Sequence, residues 1–411
     1  MAIAPLVVAR WWWRGRREPL YRHAIGERFG RYTAPLDAGS VWIHAVSLGE
    51  TRAAAALIDA LRAQRPGLRL LLTHGTATGR EAGRALLRGG DAQCWLPYDL
   101  PGAVERFFAQ ARPAVGVLME TEIWPGLIEG ARAAGVPLLL ANARLSERSL
   151  RRGRRAQALL GPAIAALDRV LAQTESDAQR LRAAGARRVE VMGNLKFDAA
   201  PAAALLERGR AWAASSARPT VLAASTREGE EAALLAAWRR ARPAARLLVV
   251  PRHPQRFDEV AALIEQAGFR LSRRSGWGEG APAEAADVWL GDSVGEMPAY
   301  YGCAQVALLG GSFAPLGGQN LIEAAACGCP VVMGPYTFNF AQAAEQSLEA
   351  GAASRVADLD AAVDRALSIA GDAVERAAMS EHGLGFAAAH RGAAARMACA
   401  VIQEARDLRR S

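Results

Sequence analysis

Short apolar runs alternate with amphipathic stretches along most of this chain, and the alternation is made twice. The first series places apolar runs at Val41–Val46, Leu68–Thr73, Ala114–Met119, Val136–Ala141, Arg169–Gln173 and Val189–Met192. Between them the patterns at Thr51–Gln64, Pro101–Ala111, Pro125–Ala134 and Asp177–Ala184 have helical spacing. Runs this short and this uniformly apolar read as parallel strands buried on both faces. The rhythm pauses across Asp198–Pro219, which is rich in Ala, Pro and Ser. It resumes with Thr220–Ala224, Ala245–Val250, Asp287–Leu290, Gln305–Gly310 and Pro330–Met333. Two strand–helix series predict two doubly wound α/β domains. In open parallel sheets ligands bind outside the carboxyl ends of the strands. Two such domains facing each other would make a cleft walled by strand-to-helix loops.

The expected divisions are residues 1–40 as an N-terminal segment, 41–200 as the first Rossmann-like domain and 201–384 as the second. The helical pattern within 385–411, Gly385–Arg409, is expected to cross back to the first domain. A length of 411 residues suits two domains, and 51% hydrophobic residues suffice for two packed cores. Fifty Lys and Arg against 41 Asp and Glu leave a formal charge of +9, compatible with an anionic membrane, a phosphorylated substrate or nucleic acid. Five cysteines, Cys94, Cys303, Cys327, Cys329 and Cys399, have neither disulfide nor zinc spacing and read as small buried residues in a reducing compartment.

The first residues run from an apolar stretch, Met1–Ala9, through Trp11, Trp12 and Trp13 to Arg14, Arg16, Arg17 and Arg22. Arg10 interrupts the stretch well short of the roughly 20 apolar residues that a spanning helix needs. The order is also the reverse of a signal peptide's. It suits a helix lying in the membrane interface, with Trp at headgroup depth and Arg on lipid phosphates.

The polar motifs fall on the strand-to-helix loops. His44-Ala-Val-Ser-Leu-Gly49-Glu50 follows a strand and opens a helix, with Gly49 allowing close backbone approach. Glu50 there could take a proton from a sugar hydroxyl, or simply complement the helix dipole. Met119-Glu120-Thr-Glu122 ends a strand in two acids, and a buried Glu120 needs a cation or a hydroxyl. Lys196, in Gly193-Asn194-Leu-Lys196, could neutralise a leaving phosphate or pair with Glu120. Further along, Ser225, Thr226 and Arg227 sit at a strand end that opens a helix, and Gly311 and Ser312 sit in a glycine-rich turn. All five are candidate phosphate contacts through backbone N–H groups or side chains. Arg252 follows the next strand, placed to grip a phosphate. Glu323 lies in the helix after Gly317-Gly318-Gln319-Asn320 and could accept from ribose hydroxyls. Arg144, Arg148, Arg151, Arg152, Arg154 and Arg155 form a basic cluster suited to acceptor phosphates or a membrane surface. No Walker A, zinc or nicotinamide fingerprint competes with these motifs.

HAVSLGE, LPYDLP, METEIWP, NARLSERS, GNLKFD, ASTREGEE, VPRHPQRF, GDSVGEM, GGSF, GGQNLIEAAACGCPV and MGPYTFNF occur in that order. Together they resemble the 3-deoxy-D-manno-octulosonic acid (Kdo) transferases of lipopolysaccharide assembly, over nearly the whole chain. The resemblance implies the GT-B fold, an α/β architecture of two Rossmann-like domains. It implies CMP-Kdo as donor, a tetraacylated lipid A precursor as anionic acceptor, and inversion by direct displacement at the cytoplasmic face of the inner membrane. It implies Glu50 as general base, with Glu120 and Lys196 supporting the transition state. Pro251, Arg252, Val294, Gly295, Glu296, Asn320, Leu321, Ile322 and Glu323 match its CMP-contacting stretches. A monophosphate leaving group needs no metal bridging two phosphates, so neither metal nor other cofactor is expected. Arg227 and Gln319 stand where the family often has His, so roles specific to His do not transfer. A GT-B enzyme using a UDP-sugar is the main rival reading, and a basic membrane- or nucleic-acid-binding protein without turnover is another. The paired acids and the lack of stacking motifs among the basic runs weigh against nucleic acid.

Overall fold

In the computed structural model, residues 15–405 are described except 17, 154–156, 199–200, 242 and 279–283. The chain divides into two compact units. One takes in the described residues within 1–199 and 391–411, the other those within 200–390.

Among the described residues the first unit holds a seven-stranded parallel sheet. Its strands are β1 (Val41–His44), β2 (Leu70–His74), β3 (Ala92–Trp95), β4 (Val115–Met119), β5 (Leu138–Ala143), β6 (Arg169–Ala172) and β7 (Val189–Val191). Their order is β3-β2-β1-β4-β5-β6-β7. The second unit repeats the plan with β8 (Thr220–Thr226), β9 (Arg246–Pro251), β10 (Leu271–Arg273), β11 (Val288–Leu290), β12 (Val306–Leu309), β13 (Val331–Met333) and β14 (Ala353–Arg355). Here the order is β10-β11-β9-β8-β12-β13-β14. These are two doubly wound sheets, as the alternation of apolar runs predicts. The winding reverses between β1 and β4 in one and between β8 and β12 in the other. Loops leaving adjacent strands at such a reversal diverge to opposite faces and open a crevice for a ligand.

Three strands, β3, β10 and β14, are absent from the sequence reading, and all three are sheet edges. Each is short, and none is buried throughout: Leu271–Arg273 is half-buried along its length. An edge strand has no neighbour on one side, so it lacks the continuous apolar run that marks a central one.

In the first unit, Trp42 on β1 meets Phe107 and Phe108 edge-on at 5.0 and 5.7 Å, and its indole N–H donates to Thr73 Oγ1 at 2.8 Å. The other face of this sheet is covered by the helix Leu48–Gln64 and by the last helix, Ala393–Glu404. The pattern read as one helix over Gly385–Arg409 is two: Ala373–Ala389 ends in the second unit, and Gly392, at φ +91°, turns the chain before Ala393–Glu404 begins in the first. A left-handed φ suits glycine, which has no Cβ to clash. Asp198 fixes that start by accepting from the backbone N–H groups of Gly392 and Ala394.

Residues ahead of β1 also pack on the first unit. Glu27 accepts from Arg80 Nη1 and from the Trp95 backbone, both at 2.8 Å, and Tyr21 stacks on Trp95. The interface reading of Trp11–Trp13 lies outside the described residues. Among those described, no helix is long and apolar enough to cross a membrane.

Met397 is fully buried in the layer that holds the helix Leu48–Gln64 against the sheet. Met397→Ala is expected to destabilise the first unit by about 2–5 kcal/mol, the usual cost of a large-to-small change in a packed core. Urea unfolding followed by Trp fluorescence measures it.

Candidate functional site

In the first unit the acids sit at the reversal of the sheet. After β1, Ser47 caps the helix Leu48–Gln64: its Oγ accepts from the Glu50 N–H at 3.4 Å. The Glu50 carboxylate accepts in return from Ser47 N–H at 3.3 Å and Val46 N–H at 2.5 Å. The helix-start role weighed for Glu50 is therefore real, and it orients the acid. Burial, and then the neighbouring charge of Glu122, push its carboxyl up to about 7 against the pull of the Val46 N–H. A carboxyl titrating there can exchange protons at neutral pH, as the notion of a general base requires. Gly49 has more room than expected, since a Cβ there would lie 3.9 Å from Ser47 Oγ, an ordinary contact.

After β4 the backbone turns at Glu120, which adopts φ +55° and is 4% exposed. Its carboxylate is answered by two cations: Arg144 Nε at 2.9 Å and Lys196 Nζ at 3.3 Å. The Lys196 pairing is one of the two roles its position suggests, while Arg144 joins the acid instead of standing free in a basic cluster. A chain of amides places Lys196. Asn142, fully buried at φ +51°, accepts from Leu195 N–H at 3.0 Å, and its carbonyl takes a bond from Gln173 Nε2 at 2.9 Å. Asn194 Nδ2 donates to Gln173 Oε1 at 3.0 Å, and Asn194 Oδ1 accepts from the Lys196 N–H at 3.0 Å. Asn142 and Asn194 stand inside quoted motifs, but nothing in the sequence shows that they meet through Gln173.

In the second unit the corresponding reversal carries basic groups. Ser225 adopts φ +55° at the end of β8, and Thr226 Oγ1 donates to the buried Glu231 at 2.8 Å. Glu231 is also held by Arg256 at 2.7 Å. Arg252, exposed after β9, donates its backbone N–H to Thr226 at 3.0 Å. Around His253, Arg227, Arg252 and Arg256 add their positive charges to burial in holding its pKa down. Such a cluster attracts a phosphate.

The glycine-rich turn differs from the expectation of free N–H groups. Gly311 N–H donates to both oxygens of Glu230, at 2.8 and 2.7 Å, and Phe313 N–H lies 3.4 Å from Oε1. Ser312 Oγ donates to Leu309 O at 2.5 Å and accepts from Gly334 N–H at 2.9 Å. A buried carboxylate thus fills the turn from inside the protein, which no local motif announces. Glu296 is likewise engaged, by Arg274 at 2.9 Å and Arg208 at 3.1 Å. Beside it Val294 is 65% exposed and Gly295 adopts φ +89°. Asn320 caps the helix Leu321–Ala326, accepting from Ile322 N–H at 3.1 Å, and places Glu323 in its first turn. Leu321, Ile322 and Pro251 are buried.

Comparisons with known proteins agree on one family. The model of the 3-deoxy-D-manno-octulosonic-acid transferases (kdotransferases) matches residues 23–199. The 3-deoxy-D-manno-octulosonic acid transferase of Bordetella pertussis is 50% identical over 96% of this chain and 95% of its own. That of Haemophilus influenzae is 34% identical over 85% and 84%. A solved glycosyltransferase from Rickettsia africae, 12% identical, superposes over 90% of this chain and 99% of its own with a TM-score of 0.61, a likeness of fold.

Burial and the charge of Glu122 hold the Glu50 carboxyl up, so it is expected to titrate near pH 7, and Glu122 above the ordinary carboxylate range. Carboxyl 13C NMR across pH 4–9 follows both, and a pair fully ionised by about pH 5 would contradict the burial described.

Proposed function

Since this chain belongs to the Kdo transferase family of glycosyltransferases, we propose that it carries Kdo from CMP-Kdo to a sugar hydroxyl of a tetraacylated lipid A precursor, inverting the anomeric centre. Glu50 takes the proton of the acceptor hydroxyl as that oxygen forms its bond to the anomeric carbon. The bond from that carbon to the phosphate oxygen breaks, and CMP departs with the electron pair. Its developing charge is met by Arg252 and Arg227, which need no reorganisation when placed beforehand. Pro251, Val294, Gly295, Glu296 and Asn320 to Glu323 supply the walls for the nucleotide. Thr226, Gly311 and Ser312 act on the phosphate indirectly, because their polar groups shape the turn from within, while Ser225 shapes it through its backbone. Glu120 holds Lys196 where its ammonium supports the transition state.

The observation that carries this reading is Glu50 itself, an acid at a sheet reversal whose burial keeps it near neutral titration. The acceptor assignment is supported by the exposed Arg148 and Arg151, suited to anionic headgroups. The reading places the enzyme on the cytoplasmic face of the inner membrane, as a peripheral protein or one held by a short N-terminal anchor.

Glu50→Gln is expected to lower kcat by roughly a hundred- to ten-thousand-fold while leaving CMP affinity unchanged, checked by product mass spectrometry and calorimetry. Normal turnover in this variant would remove the base assignment. Arg252→Ala should weaken CMP binding by about ten- to a hundred-fold, the worth of a charge-assisted bond. UDP binding as tightly as CMP would favour a UDP-sugar donor instead.

A further inference from the structure

Glu122 carries no role so far, yet it lies between two groups with opposite needs. On β1, His44 is wholly buried, and its Nδ1 lies 3.1 Å from the Thr73 carbonyl and 2.9 Å from Thr73 Oγ1. A carbonyl only accepts, so the Thr73 carbonyl is served by the tautomer with its hydrogen on Nδ1, and in that tautomer Nε2 is a bare acceptor. Among the described residues that buried Nε2 has no hydrogen-bond partner. The atom facing it is Glu122 Oε2, at 3.9 Å. Burial keeps the ring neutral down to about 3, so His44 does not meet Glu122 as a cation. A side-chain movement of about 1 Å would bring Oε2 within hydrogen-bond reach of Nε2.

The other neighbours sort the two acids in the same sense. Glu50 meets only donors, the N–H groups of Val46 and Ser47, which favour a carboxylate. Glu122 Oε2 accepts from Trp124 Nε1 at 2.7 Å and the same oxygen faces the orphaned His44 Nε2 at 3.9 Å, so a donating Glu122 turns its hydroxyl oxygen toward His44 and leaves the other oxygen to Trp124. Glu120 beside it has its charge answered by Arg144 and Lys196, and His74 lies behind His44. The hydrogen-bond partners thus favour a carboxylate at Glu50 and a protonated carboxyl at Glu122.

We propose that Glu122 is a positioning residue which retains the proton of this pair and donates it to His44 Nε2, so that Glu50 alone presents a carboxylate to the acceptor hydroxyl. Glu122 then keeps its proton to higher pH than Glu50 does. The inference rests on Glu50 being the base, and the two can fail separately.

The test is the pH profile of kcat/KM for the parent chain, Glu122→Gln and Glu50→Gln. A Gln reproduces a protonated Glu in charge and in its donor, so the acid limb of Glu122→Gln is expected to coincide with the parent's. A limb displaced downward by a unit or more would mean that a charged Glu122 had been removed, and would overturn the proposal. If the limb persists in Glu50→Gln, the base assignment fails instead. A 15N spectrum of the histidines in the parent chain decides the point without turnover: His44, known by its contact with Thr73, should be the Nδ1–H tautomer with an acceptor Nε2. An Nε2–H tautomer would make Glu122 the acceptor and sink the idea, whether or not the variants fold.

Discussion

Parallel strands buried on both faces leave their polar backbone ends to be satisfied where the strands stop, and everything chemical in this protein is arranged around that requirement. Each sheet reverses its winding once, between β1 and β4 and between β8 and β12. There the loops separate, and side chains can reach a ligand instead of packing on the next helix. Glu50, Glu120 and Glu122 follow the two strands of one reversal. Ser225 to Arg227 and Gly311 follow the two of the other. The helices behind them fix the positions, so that the cap made by Ser47 is at once a helix start and an orienting device for Glu50.

The two reversals are charged in opposite senses. The first gathers three acids and spends two cations on one of them, which leaves a pair of carboxyls with too little positive charge to ionise together at low cost. The second gathers arginines around the end of β9 and turns its acids inward: Glu230 into the glycine-rich turn, Glu231 onto Arg256. On the proposed function, the first environment would serve a proton acceptor and the second a phosphate. Neither property belongs to a single residue, because both follow from which neighbours burial brings along.

Much of this was legible in the sequence. Central strands are apolar throughout, so the count of α/β units, the place of the pause between them and the loops that bear the motifs could be read off directly. Of the four edges only β7 could, since Ala92–Trp95, Leu271–Arg273 and Ala353–Arg355 lack a two-sided burden of apolar contact. Glu50, Glu120 and Lys196 stood out as polar residues at strand ends, and the structure brings Glu120 and Lys196 to 3.3 Å. What escaped were relations across long separations. Glu230 reaches Gly311 from 81 positions away, and Asn142 meets Leu195 from 53. His44 lay inside a quoted motif, but an orphaned nitrogen is visible only when every neighbour is in place. Gly392 escaped because an Ala-rich helical pattern runs on through it.

Glu120, Asn142 and Ser225 share a left-handed backbone at the carboxyl ends of β4, β5 and β8. For a residue with a Cβ that conformation costs on the order of 1–2 kcal/mol, and glycine would relieve it. Glycine there would ease the backbone but would also remove the carboxylate that Arg144 and Lys196 answer and the amide that accepts from Leu195, so the left-handed turns and the side chains they carry are held together by the same contacts.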